Sequence, residues 1–253
     1  LAMRLSEKYH KIPGLLRKGL IENAVNLIPT SEIKRSRARD LKRFLKAASL
    51  PKVGRYFHWI SAIDRELKEN LYTEEFKREI GNSDSAFFIK RWFDKSNGNG
   101  IVDATMFTDQ MTYLPNDLLV KVDIATMANS LEARSPLLDH KVIEFAASLP
   151  ENIKLKGAEN KSLLKKVGSR LVPREVLYRK KMGFGVPIGH WFRGEMKDYL
   201  RENLLSDKFA RRGIVKAEIV RQLVDEHIEA KNDSASQLWT LLMLELWFQK
   251  FID

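Results

Sequence analysis

The sequence contains no cysteine, which excludes disulfides, thiolate metal sites, iron–sulfur clusters and a cysteine nucleophile. Histidine is scarce: the five residues include no pair at i, i+4 spacing, which disfavours a zinc site. No apolar run reaches the roughly 18–20 residues that a membrane-spanning helix needs, and no secretory signal opens the chain. Thirteen glycines and eight prolines are too few for a collagen-like or linker-dominated chain. We therefore expect an ordinary globular protein of the cytoplasm that contacts no membrane.

Positive charge is in excess: 44 Lys and Arg against 33 Asp and Glu give a formal net charge of +11. Two windows hold it, with nine basic and two acidic residues over 31–55 and ten basic and three acidic residues over 151–185. Such basic windows can bind polyanions, for example nucleic acid or nucleotide phosphates. Alternatively, they form the solvent-exposed faces of helices. For residues 31–55 alone, the solvated face is the favoured interpretation.

Apolar residues recur at helical spacing along most of the chain, and strand patterns are nearly absent. A long periodic stretch covers 102–130 and is interrupted at Pro115, because proline cannot continue a helix. The best short strand covers 152–156. The sequence therefore predicts a mainly α fold.

The segment Ser130–Asp139 places charged side chains among apolar ones just after a predicted helix. Pro136 forces the chain out of the helix and favours an extended Ser135. Arg134 could clamp a carboxylate with its planar fork. Alternatively, Glu132, Arg134 and Asp139 cap helices and pair with one another, which spacing alone favours.

The segment 178–187 runs three consecutive cations into a Gly-x-Gly turn. Because glycine has no Cβ, such a loop can bring a lysine and backbone N–H groups close to a phosphate. The G-x-x-x-x-G-K-[ST] spacing of a P-loop is missing, and a lone Gly-x-Gly is weak by itself. A phosphate loop and a plain basic turn stay equally open on these grounds.

These two segments carry a resemblance. "YLPNDLLVKVDIATMANSLEARSPLLDHKVIEFAASLP" followed by "LYRKKMGFGVPIGHWFRGEM" resembles the C-terminal synthetase region of glutamine-dependent asparagine synthetases. The most specific blocks are Asp123–Asp139 and Arg179–Trp191. Residues 101–253 match in order, and 1–100 match loosely as a variable helical region. The implied fold over 1–253 is the helical C-terminal part of an adenine-nucleotide α-hydrolase-like (PP-loop ATP pyrophosphatase) domain, with the parallel sheet largely missing.

The resemblance also implies a reaction. In this family an N-terminal glutaminase domain releases ammonia from glutamine with a terminal cysteine. The synthetase domain adenylates aspartate with Mg-ATP to β-aspartyl-AMP, and ammonia displaces AMP to give asparagine. The partners implied for the parent enzyme are aspartate, ATP, glutamine and the glutaminase domain.

The sequence departs from the family pattern at three points. It lacks the glutaminase cysteine, the pyrophosphate-binding S-G-G-x-D-S loop and the acidic G-D-E-x-F-x-G-Y block, which helps to hold magnesium. We therefore expect a fragment that is inactive alone, binds no Mg-ATP and carries no metal site. Where the missing strands and helices would pack, an exposed apolar face is expected, and a homodimer is one way to cover it.

Carried over by the resemblance, the catalytic residue is Lys181, which would contact the nucleotide phosphate and the acyl-adenylate. Gly183 and Gly185 are expected to shape the loop around it. Arg134 lies in a block like the family's E-A-R-x-P-[FL]-L-D and would either bind a substrate carboxylate or hold Glu132 and Asp139. Lys121 stands where relatives tend to carry a cation near the substrate pocket.

Three other interpretations compete with this one. Related amidotransferases and β-lactam synthetases share these blocks and use other acceptors. A basic helical nucleic-acid-binding module built on residues 31–55 is the main alternative from another class, although no nucleic-acid-binding motif is present. The third is a purely structural or interaction domain.

Overall fold

The computed structural model describes residues 2–17, 37–96, 100–157, 159–179 and 185–253. Helices dominate these ranges, which confirms the predicted mainly α fold. Up to residue 111 they are α1 (Ala2–His10), α2 (Gly14–Leu16), α3 (Arg37–Ala48), α4 (Lys52–Ile60), α5 (Arg65–Leu71), α6 (Glu74–Ile80), α7 (Ser85–Lys95) and α8 (Ile101–Met111). Beyond it they are α9 (Val120–Met127), α10 (His140–Ser148), α11 (Glu151–Lys154), α12 (Ser162–Gly168), α13 (Arg174–Tyr178), α14 (Ile188–Arg193), α15 (Lys197–Leu204), α16 (Asp207–Ala210), α17 (Ala217–Ile228) and α18 (Ala235–Phe251).

The predicted interruption at Pro115 is present as a change of helix type. A π-helix, Leu114–Leu119, stands between α8 and α9. Because proline has no N–H to donate, the α-helical bonding cannot pass through it. Backbone hydrogen bonding resumes at the next residue, since the Asn116 amide donates to the Thr112 carbonyl at 3.1 Å.

Strand structure is minimal in the described residues. Two two-residue strands, β1 (Leu155–Lys156) and β2 (Glu159–Asn160), pair antiparallel with Leu155 opposite Asn160. The strand predicted over 152–156 is therefore right only in its last two residues. The preceding four residues form α11, which opens after a proline suited to a helix start.

The chain divides into two compact units. Unit 1 comprises Leu1–Leu27, Lys42–Phe57 and Asp84–Met182, and unit 2 comprises Ile28–Leu41, His58–Ser83 and Gly183–Asp253. The division at residue 100 made on the resemblance concerns sequence variability and stays a prediction.

Unit 2 has the larger hydrophobic core. Its apolar side chains come from α5, α14 to α18 and the bend before α17. The buried members are Leu71, Phe192, Leu200, Leu204, Phe209, Val215, Val220, Val224, Leu238, Leu241 and Leu242. Since each large apolar side chain gains about 1.5–3 kcal/mol on full burial, this cluster is the main source of stability in unit 2.

Unit 1 is tied together by buried polar contacts as well as by a small apolar cluster. Arg55 is 3% exposed, and its Nη1 donates to Ser6 Oγ at 2.7 Å and to Glu7 Oε1 at 3.1 Å. The Tyr56 hydroxyl donates to the Asp109 carboxylate. Burial raises the pKa of Asp109, and burial together with Asp109 raises the pKa of Tyr56. These contacts join α1, α4 and α8.

The N-terminus of α8 is capped from a distance. The Oε1 atom of Glu151 accepts from the amides of Val102 at 2.8 Å and Asp103 at 3.1 Å. Gly100 makes room for this carboxylate, because an added Cβ would overlap it. Lys154 reinforces the contact, since its Nζ donates to Asp103 Oδ1 at 2.8 Å. Short helix α11 thus satisfies the free amides of α8.

We expect Gly100→Ala to lower the free energy of unfolding by about 1–2 kcal/mol, which is the scale of a lost helix cap. Gly100 has an extended backbone that alanine adopts freely, so the loss comes from displacing Glu151. Urea denaturation of wild type, Gly100→Ala, Glu151→Ala and the double variant measures this. In the Glu151→Ala background, Gly100→Ala should cost under about 0.5 kcal/mol. Equal costs in the two backgrounds would contradict the explanation.

Within the described part of 113–178, large apolar side chains lie mostly on the surface, and Leu155 is the one buried residue. Exposed apolar side chains are thus frequent in this range, and the single face expected where strands are missing stays a prediction. Its covering by a second copy of the chain stays a prediction. The most exposed members are Ile124, Met127, Leu131, Leu137, Phe145, Val167, Leu171 and Val176.

Candidate functional site

The loop that carries Arg134 is set by the end of α9. Ser130 takes a left-handed conformation with φ of 57°. Its amide donates to the Met127 carbonyl at 3.0 Å, and the Leu131 amide donates to the Thr126 carbonyl at 3.0 Å. This arrangement ends the helix and leads the chain to an extended Ser135 before Pro136, as predicted. Arg134 therefore stands on an extended segment between two helical ones.

Arg134 makes a two-pronged ion pair with Glu132. Its Nε lies 3.0 Å from Oε1, and its Nη2 lies 3.2 Å from Oε2. The Arg134 side chain is 82% exposed and that of Glu132 is 67% exposed. Exposed ion pairs contribute only about 0–1 kcal/mol. The guanidinium is thus shaped to hold a carboxylate, and it can exchange this one at little cost.

Asp139 caps a helix, which is one of the two roles that the structural interpretation assigns to these residues. Its Oδ1 accepts from the Lys141 amide at 2.9 Å and caps the N-terminus of α10. Of the predicted three-residue pairing, the structure contains the Arg134–Glu132 pair and the cap by Asp139.

Lys121 lies in the first turn of α9 and faces Asp117, with Nζ 3.6 Å from Oδ1. Both side chains are at least half exposed. Among the described contacts, none joins Lys121 to Arg134. The two cations predicted for substrate binding are thus both accessible on unit 1, and each faces its own carboxylate.

Lys181 and Gly183 lie outside the described residues. The helix before them, α13, ends at Tyr178, whose ring centre lies 4.9 Å from Lys165 Nζ and 5.7 Å from Arg174 Cζ. On the far side of the loop, a Cβ added to Gly185 would meet no atom within 4 Å. The packing of the described residues therefore does not require glycine at 185, and its loop-shaping role stays a prediction.

The first basic window is described only from residue 37 onward. Two of its cations there serve the fold of unit 1. Arg55 is buried against Ser6 and Glu7, and Lys52 lies 3.5 Å from the second Glu7 oxygen. Arg55 and Lys52 thus serve the structure of unit 1, and the solvated-face and nucleic-acid interpretations of residues 31–55 both stay predictions.

Sequence reasoning missed the buried polar pairs, Tyr56 with Asp109 and Lys154 with Asp103. Their partners are 53 and 51 residues apart, so no local pattern signals them. In the described ranges, no group of three or more His, Asp or Glu side chains could hold a metal ion. No helix in those ranges is long and apolar enough to cross a membrane.

Comparison with known proteins places these loops in a family context. The family model described as asparagine synthase matches residues 3–249. The chain is 32% identical to asparagine synthetase (glutamine-hydrolysing) 1 of Bacillus subtilis over 239 residues, covering 94% of this chain and 36% of the relative. A Mycobacterium bovis protein, named provisionally as a glutamine-hydrolysing asparagine synthetase, is 38% identical over 146 residues, 57% of this chain and 22% of the relative.

The bovine asparagine synthetase is 33% identical over 93 residues, which are 34% of this chain and 16% of the relative. No solved structure matches the chain significantly. The chain spans about a third of the Bacillus subtilis relative and less of the others. Because the family match covers nearly every residue, the chain belongs to the asparagine synthase family.

Proposed function

We propose that the chain serves the synthetase reaction of a glutamine-hydrolysing asparagine synthetase, a carbon–nitrogen ligase. In a protein of the relatives' length, L-aspartate, ATP and ammonia from glutamine would give asparagine, AMP and pyrophosphate through β-aspartyl-AMP. The observation that carries this is the family match over residues 3–249, with 32% identity to the Bacillus subtilis enzyme across 94% of the chain. Since the chain is free of cysteine, we place the reaction in the cytoplasm.

Lys181 would act at the phosphates. Adenylation of a carboxylate builds negative charge on the α-phosphate and the leaving pyrophosphate. A positioned ammonium stabilises that charge without forming a covalent bond. Gly183 and Gly185 would let the backbone of the same loop approach the nucleotide closely. Magnesium bound with ATP would shield phosphate charge, and we assign it no ligand from the described residues.

Arg134 would bind a substrate carboxylate. The Arg134 guanidinium already binds the Glu132 carboxylate through two hydrogen bonds, the geometry that carboxylate recognition requires. Because this ion pair lies on the surface, it contributes little free energy. A substrate carboxylate would replace Glu132 on the same two nitrogens. Lys121 would add positive charge near the pocket, released from an Asp117 contact that is already long.

The function is tested by measuring asparagine and AMP together in the parent-length protein supplied with aspartate, ATP and glutamine. Equal amounts of the two products are expected. AMP formation only with another acceptor would assign the chain to a sister ligase with a different substrate. No AMP with any acceptor, together with salt-dependent nucleic-acid binding, would favour the alternative module.

The roles of Arg134 and Glu132 can be distinguished by matched substitutions in that parent-length protein. We expect Arg134→Gln to raise the KM for aspartate by about tenfold or more, the cost of losing a charge-assisted contact of about 1.5–3 kcal/mol. Glu132→Gln should leave that KM unchanged or lower it, because Glu132 competes for the guanidinium. Steady-state kinetics measure both. If Arg134 only holds Glu132 in place, the two variants will be impaired alike.

For the 253-residue chain by itself, we expect no hydrolysis of glutamine, because no cysteine nucleophile is present. We also expect weak binding of Mg-ATP, because one lysine cannot replace the backbone donors of the S-G-G-x-D-S loop and the carboxylates of the acidic block. Glutamate release and calorimetry measure the two. Glutamate above a protein-free control, or micromolar binding of Mg-ATP, would overturn the respective expectation.

A further inference from the structure

His227 lies at the centre of unit 2, on α17, and its side chain has no exposed surface. Its Nε2 atom lies 3.2 Å from the carbonyl oxygen of Gly189 on α14. Its Nδ1 atom lies 3.2 Å from the amide nitrogen of Ser234, the residue that precedes α18. One imidazole ring therefore joins three helices of the core.

The two backbone partners fix the protonation state of the ring. A carbonyl oxygen can only accept, so Nε2 must carry a hydrogen and donate it to Gly189. An amide N–H can only donate, so Nδ1 must present its lone pair to Ser234. The ring is thus held as the neutral tautomer with its hydrogen on Nε2. A proton added to Nδ1 would face the Ser234 N–H, and a bond would become a repulsion between two donors.

Two charged groups among the described residues face the ring. Arg193, on α14, has its Nη2 atom 3.4 Å from Nδ1 and donates through Nε to the backbone carbonyl of His227 at 2.8 Å. Asp233, before α18, has its Oδ1 atom 3.8 Å from Nδ1 and 3.9 Å from Arg193 Nη2. The carboxylate thus lies beside both the guanidinium and the ring, and it forms an ion pair with the ring only when the imidazole is protonated. Burial and the nearby Arg193 lower the pKa of His227, and the Gly189 carbonyl, Asp233 and the backbone of Asn232 oppose this only in part.

We propose that His227 is an acid-sensitive lock on the core of unit 2: the neutral imidazole holds α14, α17 and the start of α18 together, and its protonation destabilises this part of the core. Protonation breaks the bond to Ser234, places a second cation beside Arg193 and loosens the start of α18 from α14 and α17. The sign follows from proton linkage: the unfolded chain takes up the proton more readily than the folded one. Stability is therefore full above the ordinary pKa of histidine and declines as the pH falls from there towards the lowered folded value.

The lock is tested on the full chain by two measurements. Proton–nitrogen spectra of the 15N-labelled imidazoles, recorded from pH 7.5 to 5.5, report the tautomer and protonation of each histidine. Urea denaturation over the same range reports stability for wild type, His227→Gln and His190→Gln. His190 is the matched control because it lies on α14 and is exposed. Any contribution from Asp109, whose pKa burial raises, is common to all three proteins.

We expect His227 to show the Nε2–H tautomer at pH 7.5 and to stay neutral as the pH falls through the ordinary pKa of histidine. The unfolding constant should rise on acidification by up to about tenfold for each unit by which folding lowers the histidine pKa. His227→Gln should flatten this rise, and His190→Gln should retain it. Protonation of His227 at the ordinary histidine pKa, or parallel pH profiles for wild type and His227→Gln, would overturn the proposal. If His227→Gln does not fold, the wild-type titration decides alone.

Discussion

Replacing Lys181 by alanine is expected to lower AMP formation by a parent-length synthetase by two orders of magnitude or more. This is the scale of losing one preorganised group aimed at developing negative charge. Folding should be nearly unaffected, because the sequence predicts a loop at Lys181 and substitutions of surface loop residues usually change stability by under about 0.5 kcal/mol. Parallel assays of AMP formation and glutamine hydrolysis measure the effect. Hydrolysis should survive, since in the relatives' family a separate domain carries it.

Two matched variants make the Lys181 result specific. Lys181→Arg should restore activity only in part, because the charge is kept but a planar fork on a longer stem cannot occupy the same point. Lys166→Ala removes an exposed lysine from α12 and should leave AMP formation unchanged. Near wild-type AMP formation by Lys181→Ala would reduce Lys181 to a solvated loop residue, and the family assignment would stand.

Replacing Arg212 by methionine is expected to destabilise unit 2 by about 3–5 kcal/mol, because it would leave a buried carboxylate without its partner. Glu245, on α18, is fully buried, and its two oxygens lie 3.1 and 3.2 Å from Arg212 Nε and Nη2. The same guanidinium binds Asp253 at 2.7 and 2.6 Å and lies 4.6 Å from the ring centre of Phe248. Asp253 and Glu245 raise the pKa of Arg212, and Arg212 together with Lys208 lowers the pKa of Asp253.

The stability lost in Arg212→Met should be largely restored when the buried Glu245 carboxylate is removed as well. In the double variant Arg212→Met with Glu245→Met, two apolar side chains replace an ion pair, and we expect stability within about 1–2 kcal/mol of wild type. Arg211→Met, at the exposed neighbouring position, is the control and should change stability by under about 0.5 kcal/mol. Urea denaturation at neutral pH measures all four proteins. A loss below about 1 kcal/mol for Arg212→Met alone would show that Glu245 is satisfied by other groups, such as Gln249 at 2.9 Å.

Much of the candidate site follows from local sequence. The exit from α9 depends on residues within a single turn of Ser130, and Pro136 accounts for the extended Ser135. Arg134 pairs with a residue only two positions away, so spacing alone is enough to suggest the pair. The capping predicted for this segment is present at Asp139, whose carboxylate accepts from a backbone amide at the start of α10. Spacing alone does not decide which of the three residues caps a helix and which ones pair.

The sequence by itself determined the helical character of the chain, the interruption at Pro115 and the family, because these depend on periodicity and on contiguous motifs. Only the tertiary structure decided which polar groups lose contact with water. Glu151 meets α8 across 48 and 49 residues, Arg212 meets Glu245 across 33, and His227 meets Gly189 across 38. The free energy of such a contact is set by burial and by the exact partner atoms, and both arise only when distant segments pack together.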